Sequence, residues 1–234
     1  MPDYDKTIVC LANSKKMSGR CVAGKSYEDD EFGEWIRPIS DREHGEVSEQ
    51  ERQYEDGSYP KVLEIISIPM KRHQPHTYQQ ENHVINADYY WERRGRLGWD
   101  ELQDGLDEPD GALWINGYSS TSGTNDRIPE GEAAALDSSL NLIVPERLHI
   151  WVGQPGINFG NPKRQVRADF RFQGSSYNVV VTDPAVTREY FAGQNGTYAV
   201  PEAVICVSLG EPMGGYAYKL AACLITPQRA AAGA

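Results

Sequence analysis

Val62-Leu63-Glu64-Ile65-Ile66-Ser67-Ile68-Pro69-Met70 and Val204-Ile205-Cys206-Val207-Ser208-Leu209-Gly210-Glu211-Pro212-Met213 decide how this chain is read. Each is a β-branched apolar run that carries a serine and closes on Pro-Met. Runs of this length, bounded by turn residues, mark buried strands rather than helices. One lies in each half of a 234-residue chain, and that length suits two small domains of about 100–150 residues. The echo predicts one β unit built twice.

Reading outward from these runs gives two series of strands. In the first half, Thr7-Ile8-Val9-Cys10-Leu11-Ala12, Arg20-Cys21-Val22-Ala23-Gly24 and Glu34-Trp35-Ile36-Arg37-Pro38-Ile39 precede the strand at 61–70. The second series has strands at 148–152, 165–172, 177–182, 203–209 and 217–225. Over 165–172, Val166, Ala168, Phe170 and Phe172 alternate with Arg167, Asp169 and Arg171, the period of a half-buried strand. Each series opens with an apolar strand and then a small, basic, glycine-containing segment, 13–25 and 154–164. Leu113-Trp114-Ile115-Asn116-Gly117 reads as a further strand. Short helices are expected at 87–93, at 129–137 (proline first, then early Glu130 and Glu132) and at 184–191.

The fold expected is all-β with short helices: two tandem five-stranded barrels of the oligonucleotide/oligosaccharide-binding (OB) kind. The expected divisions are 1–118 for the first barrel, with an acidic loop and an aromatic, basic insertion, and 119–146 for a connecting loop and short helix. The second barrel takes 147–227 and a frayed tail 228–234. Composition agrees, with 22 Gly, 14 Pro and 13 Tyr, an apolar share of 39% and a mean hydropathy of -0.58. That mix favours turns and short strands over helical bundles. No run of about 18 apolar residues is present, so no membrane helix is expected. The start, Met1-Pro2-Asp3-Tyr4-Asp5-Lys6, lacks a signal-peptide pattern. A cytoplasmic location is expected.

Cys10, Cys21, Cys206 and Cys223 sit in strand-like text without CxxC spacing and read as free thiols, with no zinc site among them. The net charge of -11 disfavours nucleic acid at first sight. Its distribution changes that reading. Acid collects at 28–31, 43–56 and 100–110, whereas 13–25 holds Lys15, Lys16, Arg20 and Lys25 with no acid. Residues 147–175 hold five bases against Asp169 alone. Since screening limits fields to about 8 Å at physiological salt, a locally basic surface can exist on an acidic protein.

Several segments together resemble the dual OB-containing domain family of bacterial proteins. They are Ile8-Val9-Cys10-Leu11-Ala12-Asn13-Ser14-Lys15-Lys16, Gly19-Arg20-Cys21-Val22-Ala23-Gly24-Lys25 and Gly33-Glu34-Trp35-Ile36-Arg37-Pro38-Ile39-Ser40. The likeness continues through Tyr78-Gln79-Gln80-Glu81-Asn82, Asn125-Asp126-Arg127, Phe159-Gly160-Asn161-Pro162-Lys163-Arg164, Thr182-Asp183-Pro184 and Ser208-Leu209-Gly210-Glu211-Pro212. The resemblance spans nearly the whole chain. It implies two OB folds in tandem that bind nucleic acid in prokaryotic conflict or defence systems.

OB barrels bind across the face of their second and third strands with help from adjoining loops. Single strands are held there by aromatic stacking and by Lys/Arg on phosphates. The candidate nucleic-acid-binding residues are therefore Asn13, Lys15, Lys16, Arg20, Trp35 and Arg37 in the first barrel. Asn161, Lys163 and Arg164 are their counterparts in the second. Trp35 and Arg37 share parity and point to one side, though Trp35 also suits a core. Asn125 and Arg127 follow a Ser/Gly loop and either meet ligand or belong to a cap for the helix at Pro129. Gln79 and Asn82 either read base edges or bridge the two barrels.

The reading is of a non-catalytic module for single-stranded or modified nucleic acid, or nucleotides, with no cofactor and no membrane partner. One alternative is an adaptor that docks an effector protein, encoded nearby, through its acidic surface. The other is a metal-dependent hydrolase built on His73, His76 and His83 with Glu81 and Asp88. Pro75 breaks the helix that the HxxH spacing would need. No GxSxG, GxxxxGK[ST] or strand-borne GxGxxG is present.

Overall fold

The computed structural model describes residues 3–233. The chain forms two compact units: Met1–Leu106 with Ile225–Ala234, and Asp107–Leu224.

The first unit is built on β1 (Tyr4–Lys16), β2 (Gly19–Glu28), β3 (Glu31–Ile39), β4 (Glu64–His73) and β5 (Asn82–Ile85). Their order is β1-β2-β3-β5-β4, and β4 pairs back onto β1, so the sheet closes into a barrel. The strands of this barrel pair antiparallel except β3 with β5, which run parallel. This order and the single parallel pair are those of the OB fold. A sixth strand, β6 (Glu92–Arg96), pairs with Glu64–Ser67 of β4.

β1 serves two partners because it bends. A bulge between Cys10 and Ala12 turns its first half toward β4 and its second toward β2. The close approach needs Gly24, where a Cβ would lie 2.0 Å from the Val9 carbonyl oxygen. Ile8, Cys10, Val22, Ile36, Ile66, Ile68, Met70 and Ile85 fill the barrel with Val47, Tyr54 and Trp91. Each large apolar side chain so buried contributes about 1.5–3 kcal/mol. Asp29 and Asp30 turn the β2–β3 hairpin with φ of 52° and 62°, a primed turn whose twist matches the strands.

The second unit repeats the order. β9 (Arg147–Gly153), β10 (Gln165–Phe172), β11 (Ser175–Val181), β14 (Tyr216–Ile225) and β13 (Val204–Leu209) lie side by side in that sequence, with β11 and β14 parallel. β12 (Gly196–Val200) extends the sheet beyond β9. β8 (Leu140–Ile143) extends it beyond β13, and β7 (Arg127–Pro129) pairs with β14. Helix α2 (Pro184–Ala192) lies in the chain between the third and fourth barrel strands, where OB folds carry their helix. Asp183 caps it by accepting from the Ala185 and Val186 amides, and Pro184 occupies the first turn. The two quoted runs are the fourth strand of each barrel, β4 and β13, so the sequence echo corresponds to a topological one.

Several local expectations differ from what the structure contains. Residues 87–93 form no helix: the Asn86 side chain accepts from the Asp88 amide in a turn, Trp91 plugs the core, and β6 follows. Residues 113–117 form no strand. Leu113 is a single buried plug whose amide donates to the Tyr177 hydroxyl, and Trp114 has a left-handed φ of 59°. The helix expected over 129–137 is one turn, α1 (Glu130–Ala133). The segment expected as a connection, 119–146, contributes β7 and β8 to the second sheet, and the chain enters the second unit at Asp107 rather than after 118.

The tail is helical over α3 (Pro227–Ala232). Thr226 caps it through the Arg229 amide, Gly233 ends it in the left-handed region, and the Ala230 carbonyl accepts from Arg96 Nη2 at 3.2 Å. Of the four free cysteines, Cys10, Cys206 and Cys223 are buried and Cys21 is half-buried. No helix among the described residues is long and apolar enough to cross a membrane.

Candidate nucleic-acid interface

In the first unit, the candidate residues separate into a hairpin tip and a wall. Lys15 and Arg20 face each other across the last rungs of β1 and β2, with exposed Met17 at the tip under a φ of 47°. Lys15 is exposed; Lys16 and Arg20 are half-buried. Asn13 sits two rungs deeper, and its Nδ2 donates to the Pro60 carbonyl at 2.9 Å.

On the wall, Trp35 of β3 stands opposite Lys25 of β2, whose Nζ lies 5.5 Å over the indole ring. Trp35 is half-buried and lies outside the barrel core. Arg37 is on the same side, as its parity requires, but it is closed off. It is 4% exposed, its Nε and Nη2 reach Glu81 Oε1 at 3.0 and 2.9 Å, and its Nη1 lies 2.9 Å from the Cys21 sulfur. Gln79 and Asn82 are buried as well, and Asn82 Nδ2 donates to Gln79 Oε1 at 3.3 Å. This polar knot presents no base-reading group to solvent.

The histidines lie nearby on β4 and β5. His83 accepts or donates at Nδ1 with the Tyr4 hydroxyl at 2.9 Å, and its ring lies 4.6 Å from that of His73. Burial, reinforced by His73 and Lys6, pushes the His83 pKa down to about 4. Among the described residues no group of three or more His, Cys, Asp or Glu is placed to hold a metal ion.

The second unit has a broader outer wall. Alternation puts Val166, Ala168, Phe170 and Phe172 in the core and turns Gln165, Arg167, Asp169 and Arg171 outward. Register then assembles rows across four strands. Thr197, Trp151, Arg167 and Val180 make one row; Ala199, His149, Asp169 and Asn178 make the next; Arg147, Arg171 and Ser176 make the third. Trp151 is half-buried and packs over Gly153, where a Cβ would stand 2.2 Å from the indole. The glycine thus lets the ring pack close against the wall while part of it stays exposed.

Arg167 is not available on this wall. It is 3% exposed, and it donates to Asp126 Oδ2 at 3.2 Å, to the Asn178 carbonyl at 2.8 Å and to Gln165 Oε1 at 3.2 Å. Asp126 also takes the Ser120 amide and hydroxyl, so it pins its loop rather than capping a helix. Asn125 is a second pin: its Oδ1 accepts from the Gly117 amide and its Nδ2 donates to the Ser176 carbonyl. Arg127 lies 4.0 Å over the Tyr216 ring. On the inner side, Lys219 is 1% exposed and donates to the Ile115 carbonyl at 2.7 Å and to Asn116 Oδ1 at 3.1 Å. Burial, only partly offset by Asp126, pushes its ammonium down to about 7.

The segment between the first two strands of this barrel, 154–164, mirrors the β1–β2 hairpin in position. Lys163 is exposed at its end. Asn161 accepts the Lys163 amide, and Arg164 caps the end of α2. Arg164 donates to the Phe191 and Gly193 carbonyls at 3.1 and 3.0 Å and to Asn195 Oδ1 at 3.0 Å, with its guanidinium over the Phe191 ring.

Of the thirteen candidates, the structure leaves Lys15, Asn161 and Lys163 exposed, holds Trp35 on a wall, and commits Arg37, Gln79, Asn82, Asn125 and Arg164 to internal contacts. Sequence reasoning passed over Trp151, His149 and Asn178. The alternation of 148–152 held the signal, because odd positions there must face away from Leu148, Ile150 and Val152.

A family model described as the dual OB-containing domain matches residues 6–224. No curated protein matches the chain, and no solved structure does.

Proposed function

The chain belongs to the dual OB-containing domain family, and from that fold and its two walls we propose that it is a non-catalytic module that binds single-stranded nucleic acid. The observation that carries this reading is Trp151. A half-buried indole lies over Gly153 on the outer face of the first barrel strand, in a wall that also holds His149, Asn178, Arg147 and Arg171. Base stacking on such a ring contributes about 1–3 kcal/mol per base and tolerates any sequence. In the second row Asn178 is held by Arg167 Nε and Asp169 Oδ2, which leaves His149 to meet a base edge, while in the third the exposed Arg147 and Arg171, paired with Asp169 at 3.7 Å and Glu146 at 3.5 Å, can exchange those surface carboxylates for phosphates. In the first unit a second indole, Trp35, stands on the wall with Lys25 Nζ 5.5 Å over its ring.

The four free thiols suit a reducing, cytoplasmic setting. The same reading places the protein in a bacterial conflict or defence system, with an effector protein as its second partner. The test is fluorescence anisotropy of the full chain with single-stranded, duplex and base-modified oligonucleotides at two salt levels. Binding that prefers single strands and weakens as salt rises from about 50 to 200 mM supports the reading. Salt-independent affinity, or no affinity for any probe, overturns it. Co-purification with a basic effector in place of a nucleic-acid shift moves the function to an adaptor.

A further inference from the structure

A buried cation at the end of the first barrel has only a distant, solvent-exposed carboxylate for a partner among the described residues. Arg52 is 4% exposed, yet the nearest carboxylate in contact with it is Glu49 at 4.0 Å, whose own side chain is 69% exposed. Arg52 Nε is buried with no hydrogen-bond partner. One face of the guanidinium is covered by the Tyr59 ring, 4.6 Å from the guanidinium carbon, so the unmet hydrogen-bonding capacity lies at its Nε edge. A buried charge is normally retained only with a partner that repays its lost hydration.

Three further observations converge on the same place. The backbone of Arg20 pairs with Val47, at the start of the segment that carries Arg52, and the two arginine charges act on each other. Asn13, on the same side of its hairpin as Arg20 by strand alternation, is tied to Pro60 next to Tyr59. Asn13 Oδ1 is a buried acceptor with no donor. Glu46 also has a buried oxygen without a partner, but its side chain passes over Gly19, on the other side of β2. The set is therefore a planar guanidinium with an unpartnered Nε, a second arginine and one unmatched acceptor.

We propose that this end of the first barrel binds a phosphate group, gripped by the Arg52 edge and drawn in by Arg20, with Asn13 Oδ1 accepting from a hydroxyl on the phosphate or on the sugar that carries it. A carboxylate would satisfy the guanidinium edge but would offer Asn13 no donor. A hydrogen phosphate or a nucleoside monophosphate offers both. The site is separate from the walls around Trp35 and Trp151 and does not rest on the single-strand reading.

The probe is inorganic phosphate, titrated into the full chain at constant ionic strength and followed by calorimetry and by thermal denaturation. Saturable heat and a rise in Tm that follows the same binding curve are expected. In Arg52→Gln both should vanish, while Arg20→Gln should weaken binding by at least about tenfold, as loss of one charge-assisted contact does. General salting effects would survive in Arg52→Gln, so a phosphate response undiminished in that variant overturns the site. A response no larger than that of matched sodium chloride overturns it too. If Arg52→Gln does not fold, Arg20→Gln and Asn13→Ala decide, and full affinity in both counts against the site. Adenosine 5′-monophosphate and oligonucleotides with and without a 5′-phosphate then separate a free nucleotide from a strand end as the source. An unphosphorylated strand that binds equally well to wild type and Arg52→Gln leaves the wall reading standing whatever happens here.

Discussion

Arg37 and Glu81 form an ion pair across the first barrel, Nη2 to Oε1 at 2.9 Å, with side chains only 5% and 6% exposed. Forty-four residues separate them in the chain, and parallel pairing of β3 with β5 brings them together. Removing one partner of such a pair leaves a buried charge that nothing repays, at a cost of about 3–5 kcal/mol. Arg37→Leu and Glu81→Leu should each show that loss in denaturant titrations. The double variant should recover most of it, because two apolar groups of similar volume have no desolvation to repay. Additive losses in the double variant would mean that the pair is not a coupled unit.

His83 makes the protein acid-sensitive. Its pKa is held near 4 in the folded chain, below the ordinary value of 6.5. The unfolded chain therefore takes up the proton first, and stability is lost as pH falls from about 6.5 toward 4. His83→Gln should flatten the decline of the urea midpoint over that interval. An unchanged slope would assign acid sensitivity to other groups.

Lys219 acts in the neutral to alkaline range. With the folded ammonium pushed down to about 7 against an ordinary value of 10.5, the unfolded chain binds more protons between these limits. Its contribution to stability rises with pH through that window and falls as pH returns to 7. Lys219→Met removes the slope along with the bonds to Ile115 and Asn116, so the slope is the diagnostic. Denaturant midpoints at pH 7 and pH 9 should diverge less in the variant than in wild type.

The exposed lysines set the salt response. Lys15, near the end of β1, and Lys163, near the end of the 154–164 connection, have no internal side-chain partner among the described hydrogen bonds and ion pairs. If each meets a phosphate of a bound strand, replacing it by glutamine should lower the slope of log affinity against log salt by about 0.7. Affinity should fall alike for all sequences. Arg164→Gln should act differently, loosening the end of α2 without a comparable change in slope.

Strand periodicity made the barrels legible, since Val166, Ala168, Phe170 and Phe172 declare a buried face in any context. Their alternation also fixes the outward row on which Arg167 and Asp169 stand. What periodicity cannot carry is the fate of an outward charge. Arg37 looked like a ligand group until Glu81 arrived from a distant strand, and Arg164 until the carbonyls at Phe191 and Gly193 took its donors. β5 was missed because a four-residue buried strand opening on Asn82 and His83 has neither length nor apolar text. Arg52 was overlooked for the opposite reason: within an acidic stretch it reads as a solvated surface charge, yet tertiary packing buries it.

Trp151 gives the sharpest test of the interface because its neighbour can be changed instead of the ring. Trp151→Ala should lower affinity for a short single strand by about 5- to 150-fold, the equivalent of one stacked base at about 1–3 kcal/mol. Trp151→Phe keeps a π face and should retain most of the binding. Gly153→Ala leaves the indole in the sequence but places a methyl where the ring now lies, 2.2 Å from its Cζ2. The ring must then lift from the wall or the strand must shift, and affinity should drop although no ligand-facing atom has been removed. Far-UV circular dichroism checks that all three variants stay folded. If Trp151→Ala binds as wild type does while Trp35→Ala does not, the strand lies on the first barrel instead, against Trp35 and Lys25. Unchanged affinity in both would take single-strand binding off these walls altogether.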